Sequence, residues 1–173
     1  DLYKKYHDEE WGVPVYDDAK LFEFLILETF QAGLSWITIL NKRENFRKAF
    51  DDFDYLKVSK YDESKIQELL LDAGIIRNKL KVYSAVSNAQ AFIKVQEEFG
   101  SFSNYIWKFT DGKSIKNHPK TLKDVPATTP LSDAISKDLK KRGFKFVGST
   151  VVYAHMQATG MINDHVENCW IRN

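Results

Sequence analysis

The sequence predicts an all-α protein, and three observations support this fold class. Apolar residues recur every three or four positions along most of the chain, which is the spacing of an amphipathic helix. Ser and Asp residues able to cap a helix precede several of these runs. No segment shows convincing alternation of polar and apolar residues. At 173 residues the chain fits one domain, which we place at residues 1–173.

The predicted helices follow from these caps and periodicities. Asp17 or Asp18 caps a helix that runs to about Gln31, and Ser35 caps a second that runs through Phe50. Further helices are predicted over residues 61–74, 77–100, 101–109, 132–143 and 149–160. Gly74 should end the first of these. Residues 110–130 hold three of the four prolines, so they should form an irregular connection.

Composition limits the class of protein only loosely. The 25 basic and 24 acidic residues give a net charge of +1, which excludes neither nucleic acid nor small substrates, because local clustering decides binding. No run of about 18 apolar residues predicts a membrane span. The single cysteine, Cys169, excludes an internal disulfide and indicates a reducing compartment. Because the chain begins at Asp1 without Met, we expect residues upstream of it.

Glu28 is the residue that the hydrophobic pattern explains least. It lies in the apolar run LFEFLILETFQAGLSW, on the predicted helical face of Phe24 and Leu25, with no basic residue within four positions. A carboxylate buried there costs several kcal/mol unless it is paired or protonated. A solvated helix edge is the alternative. Glu23 in the same run has Lys20 three positions before it, which predicts a surface pair.

A second candidate is the turn between the predicted helices at 132–143 and 149–160. Gly143 and Gly148 flank it, and Lys140, Lys141, Arg142 and Lys145 form a basic cluster. Backbone N–H groups at such a turn can bind phosphate, which predicts sequence-independent contact with a nucleic-acid backbone. A helical hairpin whose lysines are merely solvated is the alternative.

Several long motifs carry a resemblance to a known family. The segments YHDEEWGVP, QAGLSWITILNKRENFRKAF, DAGIIRNKLKV and LKKRGFKFVGST resemble bacterial 3-methyladenine DNA glycosylase I, over Tyr6 to Cys169. This family has the helix-hairpin-helix DNA glycosylase fold, with two helical lobes and a base pocket between them. The resemblance implies a monofunctional enzyme that flips 3-methyladenine out of double-stranded alkylated DNA and excises it as free base. We expect a monomer in the bacterial cytoplasm, associated with the nucleoid and not with a membrane.

The resemblance also implies roles for individual residues. Glu28 would read the extruded base as the catalytic residue, and Leu34 would fill the gap left in the duplex, although it could be an ordinary turn residue. The base pocket would be lined by Tyr6, Trp11 and Trp36. The DNA backbone would be bound at Gly143, Phe144, Lys145, Gly148 and Ser149. Trp107 matches no motif and is assigned to the core.

Two comparisons with the wider glycosylase superfamily restrict the mechanism. Members that also cleave the strand carry a lysine where this chain has Thr150, so no Schiff base is expected. Asp164 resembles the catalytic aspartate of other members, but the spacer before His165 is missing, so Asp164 either reaches the sugar or caps a helix. Two further classes are open: a non-catalytic helix-hairpin-helix DNA-binding module, and a structural zinc domain that binds a protein.

A zinc site is the remaining prediction. His165 and Cys169 lie four residues apart, a common spacing for zinc ligands on a helix. The resemblance adds His7, and implies a fourth ligand, a cysteine, upstream of Asp1. Such a zinc would be structural, because excision of a cationic base needs no metal. His118 and His155 match no metal motif and are expected at the surface and in helix packing.

Overall fold

The computed structural model describes residues 1–166 and Cys169, and these residues form nine α-helices and two short strands. The helices are α1 (Leu2–Glu9), α2 (Asp18–Gln31), α3 (Trp36–Ala49), α4 (Tyr55–Val58), α5 (Glu63–Leu70), α6 (Lys79–Phe99), α7 (Phe102–Trp107), α8 (Pro130–Lys141) and α9 (Ser149–Ala158). The strands are β1 (Ile115–Lys116) and β2 (Ile162–Asn163). Short 3-10 turns occupy Asp51–Phe53, Lys108–Thr110 and Leu122–Asp124. The all-α prediction is confirmed.

Side-chain caps fix most of the predicted helix starts. Asp17 accepts from the backbone N–H of Lys20, and Ser35 accepts from that of Thr38, each at 3.4 Å. The α5 helix differs from the prediction, because it ends at Leu70, before Gly74. The Asp72 side chain accepts the Gly74 N–H at 2.8 Å, and this local bond favours a turn over continued helix.

Two helices and two strands were not predicted from the sequence. The α1 and α4 helices were missed, and each contains only one buried residue, Tyr6 and Val58 respectively, so each lacks an apolar stripe. Strands β1 and β2 pair in parallel, with Ile115 opposite Ile162. Two-residue strands are too short to show a periodic pattern. This pairing ties the irregular segment 110–130 to the chain after α9.

The central element of the fold is α2. Every residue from Leu21 to Phe30 is buried, because α3, α6, α7 and α9 all pack against this helix. A helix surrounded in this way is apolar around its whole circumference. Its two glutamates are therefore both removed from water. No helix among the described residues combines the length and apolarity needed to span a membrane.

The predicted surface position of Glu23 is wrong. Its side chain is buried, and its Oε1 accepts from Nε of Arg43 at 3.1 Å and from Nε of Arg47 at 2.7 Å. Arg43 in turn donates to Glu10 at 2.9 Å. Tertiary packing of α3 on α2 supplies these partners, and it outweighs the weak local pairing with Lys20. Glu23 thus has charged partners, whereas no described residue forms an ion pair with Glu28 in the same helix.

Candidate active site

A cavity of about 230 Å³ lies where α1, α2, the start of α3 and α9 meet. The residues that matter for its chemistry are Tyr6, Trp11, Glu28, Trp36, Gln157 and Asp164. The fold therefore brings together the three aromatic residues proposed for the base pocket and the glutamate that lies between them in sequence. The family-based grouping of Tyr6, Trp11, Glu28 and Trp36 around one space agrees with this geometry.

The Glu28 carboxyl group is the unusual feature of the cavity. Glu28 is 3% exposed, and its Oε2 has no hydrogen-bond partner in the described part of the chain. Burial alone raises the pKa of this carboxyl from 4.5 to about 8, because a charged group loses its hydration there. The group is thus largely protonated at neutral pH and available to a ligand. The solvated-edge alternative is wrong.

Trp36 provides a second unpaired polar group in the same cavity wall. Its indole Nε1–H is buried and has no acceptor among the described residues. Buried polar groups are normally hydrogen-bonded, so two unpaired groups lining one cavity indicate a site for a ligand with both donors and acceptors. A purine base is such a ligand.

Aromatic rings frame these polar groups. Tyr6 and Trp36 have ring centroids 5.4 Å apart with an angle of 49° between planes. Burial, together with the nearby carboxyl of Glu28, raises the pKa of the Tyr6 hydroxyl, so it stays neutral. Trp11 contacts the ring of His165 edge-on at 4.7 Å. Trp107 lies in the core, with its N–H donating to the Val15 carbonyl at 2.9 Å, as predicted.

An open groove of about 510 Å³ adjoins the cavity and shares Gln31 and Gln157 with it. Leu34, which is 38% exposed, lines this groove on one side, and Thr150 lines it on the side of α9. Gly33 adopts a φ of +82°, which turns the chain just after α2 and places Leu34 at the groove. An exposed apolar side chain therefore lies in the groove that adjoins the cavity.

The turn between α8 and α9 leads into Thr150 and Val151, which line this groove. Gly143 has a φ of +94°, and Lys145 is exposed. Phe146 also adopts a positive φ of 56°, which costs a bulky residue about 1–2 kcal/mol. The first backbone N–H groups of α9, from Ser149 onward, have no acceptor within their own helix.

Two of the residues predicted to bind DNA make contacts inside the protein. The side chain of Phe144 is 2% exposed and packs in the core, so it cannot face DNA. The Ser149 hydroxyl bonds to the Ser132 hydroxyl at 2.7 Å. At Phe144 the apolar character of the motif therefore anchors the turn, because a buried ring holds it against α7.

Asp164 lines the cavity but is held by protein donors. Its Oδ1 accepts from Asn117 at 2.7 Å, and its Oδ2 accepts from Gln157 at 3.0 Å and from the Tyr153 hydroxyl. It is not the N-cap of any helix described here, so the capping alternative is not supported. Gln31 and Gln157, which line both the cavity and the groove, were not predicted as site residues, because an isolated glutamine in a helix carries no distinctive signal.

The three predicted metal ligands also come together. Ligand atoms of His7, His165 and Cys169 lie within 4.8 Å of one another. Nδ1 of His7 lies 3.0 Å from Asp8 Oδ1, and Nδ1 of His165 lies 2.8 Å from Asn163 Oδ1. Such contacts fix imidazole orientation around metal ions.

The other two histidines lie where the sequence analysis expected them. His118 is exposed. His155 is buried against the Leu21 carbonyl, with its pKa lowered to about 4 by burial, and so packs as a neutral ring.

Comparisons with known proteins agree with this site. The methyladenine glycosylase family profile matches residues 1–173. DNA-3-methyladenine glycosylase 1 of Escherichia coli (strain K12) is 48% identical over 168 residues, covering 97% of this chain and 90% of the relative. DNA-3-methyladenine glycosylase of Haemophilus influenzae (strain ATCC 51907 / DSM 11121 / KW20 / Rd) is 45% identical, covering 97% and 91%.

A solved structure extends the likeness to three dimensions. The structure of 3-methyladenine DNA glycosylase I from Staphylococcus aureus, described as the basis of 3-methyladenine recognition, superposes with a TM-score of 0.97. It is 35% identical and covers 99% of this chain and 92% of that one. Sequence, fold and cavity thus lead to one conclusion: this chain belongs to the methyladenine glycosylase family.

Proposed function

We propose that this protein excises 3-methyladenine from double-stranded alkylated DNA by hydrolysis of the N-glycosidic bond, without cleaving the strand. The observation that carries the proposal is the buried carboxyl of Glu28 in an aromatic cavity, whose Oε2 has no hydrogen-bond partner among the described residues. Two relatives named as glycosylases for this base, at 48% and 45% identity, support the choice of substrate.

The cavity suits a base that has left the duplex. The rings of Tyr6, Trp11 and Trp36 offer faces on which an unpaired purine stacks. In DNA, 3-methyladenine carries a positive charge, and aromatic faces attract cations. Glu28 accepts hydrogen bonds from the base and, once ionised, complements its charge. The donors of a bound cationic base stabilise the carboxylate and so lower the pKa that burial raises.

Little acid catalysis is needed, because the cationic base is already a good leaving group. When the bond between C1′ and the base breaks, its electron pair neutralises the base. Water then bonds to C1′ of the oxocarbenium-like sugar and releases a proton, leaving an abasic site and free 3-methyladenine. Thr150 lines the groove where strand-cleaving relatives of this superfamily carry a lysine, so no Schiff base forms.

DNA contacts are assigned to the two loops beside the groove. Leu34 takes the place of the extruded base, since an apolar wedge replaces lost stacking without requiring hydrogen bonds. The turn after α8 contacts the phosphate backbone through Lys145 and the backbone N–H groups at Gly148 and Ser149. Phe144 contributes only by anchoring this turn in the core.

A structural zinc ion is proposed at His7, His165 and Cys169. Two imidazoles and a thiolate suit zinc, and four-coordinate ligand atoms lie roughly 3.5 Å apart, so the observed spacing of up to 4.8 Å needs shifts of about 1 Å. The ion would tie α1, which carries Tyr6, to the chain after β2. When bound it stabilises the fold and takes no part in bond cleavage.

The test is release of free 3-methyladenine from methylated duplex DNA, measured for the wild type and for Glu28→Gln, together with calorimetric binding of the free base. Wild-type release, with loss of base binding in a folded Glu28→Gln variant, is the expected result. Unchanged base affinity in the variant would contradict the pocket assignment. DNA binding without base release by the wild type would indicate a non-catalytic DNA-binding module.

A further inference from the structure

The α6 helix contacts the loop that carries Leu34 through a buried lysine. Lys81 is 7% exposed, and its ammonium group donates to the carbonyl oxygens of Phe30 at 2.9 Å and Ala32 at 2.8 Å. These carbonyls belong to the last turn of α2, where acceptors lack intrahelical donors. A cation at a helix C-terminus is also favoured by the helix dipole. Lys81 therefore fixes the chain two residues before Leu34.

The same helix contacts the α8–α9 turn through a buried asparagine. Asn88 is fully buried, its Oδ1 accepts the backbone N–H of Lys145 at 2.8 Å, and its Nδ2 donates to the Lys145 carbonyl at 3.1 Å. This pair of bonds holds the residue directly before Phe146, whose backbone is in the left-handed region. Asn88 therefore holds the turn in a conformation that it would not favour by itself.

These two contacts come from one rigid element. Lys81 and Asn88 lie seven residues apart on α6, two turns along the helix, so they share a face and are separated by about 10 Å. Neither residue lines the cavity or the groove. Lys81 contacts a loop 49 to 51 residues away in sequence, and Asn88 contacts one 57 residues away. One helix face thus determines how far the loop bearing Leu34 stands from the α8–α9 turn.

We propose that Lys81 and Asn88 are positioning residues that set the distance between the Leu34 loop and the α8–α9 turn, so that both contact one duplex at the same time. The inference rests on the proposed function, since it assigns no new chemistry to the site. Extrusion from a duplex requires the wedge and the backbone contact together. Single-stranded DNA has no base pairs to break, and free base requires only the cavity.

The experiment compares Lys81→Met, Asn88→Leu and the double variant with wild type on three ligands: methylated duplex DNA, methylated single-stranded DNA and free 3-methyladenine. Misplacement by about 1 Å can cost about 100-fold in rate, so we expect a loss of that size on duplex DNA. Release from single strands and affinity for free base should stay near wild type. Lys94→Met, at an exposed position of the same helix, is the matched control and should behave as wild type.

The double variant tests whether the two contacts act together. Substitutions this far apart normally have additive effects. If the two residues set one distance, either substitution already destroys it, and the double variant should be no slower than the slower single one. Multiplied losses would mean that the loops act independently and would overturn the proposal.

Other outcomes separate this inference from the proposed function. Wild-type rates on duplex DNA in both single variants, or equal losses on duplex and single strands, would overturn the positioning role. Absence of base release by the wild type on either DNA would instead contradict the proposed function. If Lys81→Met does not bind free base, Lys81→Gln replaces it, because Gln retains a donor for one carbonyl. The ratio of the duplex rate to the single-strand rate in Lys81→Gln then decides whether Lys81 has a positioning role.

Discussion

Replacing Glu28 with Gln should change how the stability of the protein depends on pH. The pKa of this carboxyl is about 8 in the folded protein and 4.5 for the ordinary group. Between these values the folded protein keeps the proton, whereas the unfolded chain has released it. Unfolding therefore releases a proton, so raising the pH favours unfolding. This contribution to stability is fully present below pH 4.5 and is lost as the pH rises through 8.

The magnitude follows from the size of the shift. Each pKa unit corresponds to about 1.4 kcal/mol, so moving from pH 5 to pH 8.5 should lower the stability of the wild type relative to Glu28→Gln by about 4 kcal/mol. For a chain of this size, that difference corresponds to about 8–15 °C in Tm. The amide of Gln adds an offset that does not vary with pH, and all other titrating groups are common to both proteins.

The assay is urea and thermal denaturation of both proteins at pH 5, 6, 7, 8 and 8.5. Glu97→Gln, at an exposed position of α6, is the matched control and should give a stability difference from wild type that is the same at every pH. A constant difference between wild type and Glu28→Gln across this range would refute the reasoning, because it would mean that Glu28 is ionised throughout.

Three further predictions concern the ion network, the mechanism and the metal. Glu23→Gln should lower the free energy of unfolding by about 3–5 kcal/mol in urea titrations, because it removes the buried carboxylate that Arg43 and Arg47 share and leaves Arg43 with Glu10 alone, whereas Glu44→Gln at the surface should cost less than about 1 kcal/mol. Borohydride should trap no covalent complex with methylated DNA, since Thr150 replaces the lysine; a trapped adduct would contradict hydrolysis by water alone. Elemental analysis should find one zinc per chain, and chelation should lower Tm; a zinc-free protein of unchanged Tm would remove the metal proposal.

Much of the fold could be predicted because its signals are local. The caps Asp17 and Ser35 lie beside the helices they begin, and apolar periodicity identifies α2, α3 and α6. The α1 helix escaped prediction because its first turns contain mostly charged and polar residues, and packing on α3 stabilises it. Tertiary contacts supply most helical stability in proteins, so a helix without an apolar stripe is hard to recognise.

The candidate site, like the fold, could be predicted only where the signal is local in sequence. Glu28 was recognisable because an unpaired acid in an apolar run conflicts with its surroundings, and its burial is confirmed. Glu23, five residues earlier, conflicts in the same way, yet its partners Arg43 and Arg47 lie 20 and 24 residues away. No local pattern separates a paired acid from an unpaired one.

The sequence by itself determined the all-α class, the main helix boundaries, the family motifs and the candidate pocket residues Tyr6, Trp11, Glu28 and Trp36. Only the tertiary structure decided which polar groups remain unpaired, that the Phe144 side chain is internal, and that Lys81 and Asn88 hold two loops on one helix. The physical reason is one of range: caps and periodicity act over a few residues, whereas burial and hydrogen-bond partners depend on segments that meet only after the chain has folded.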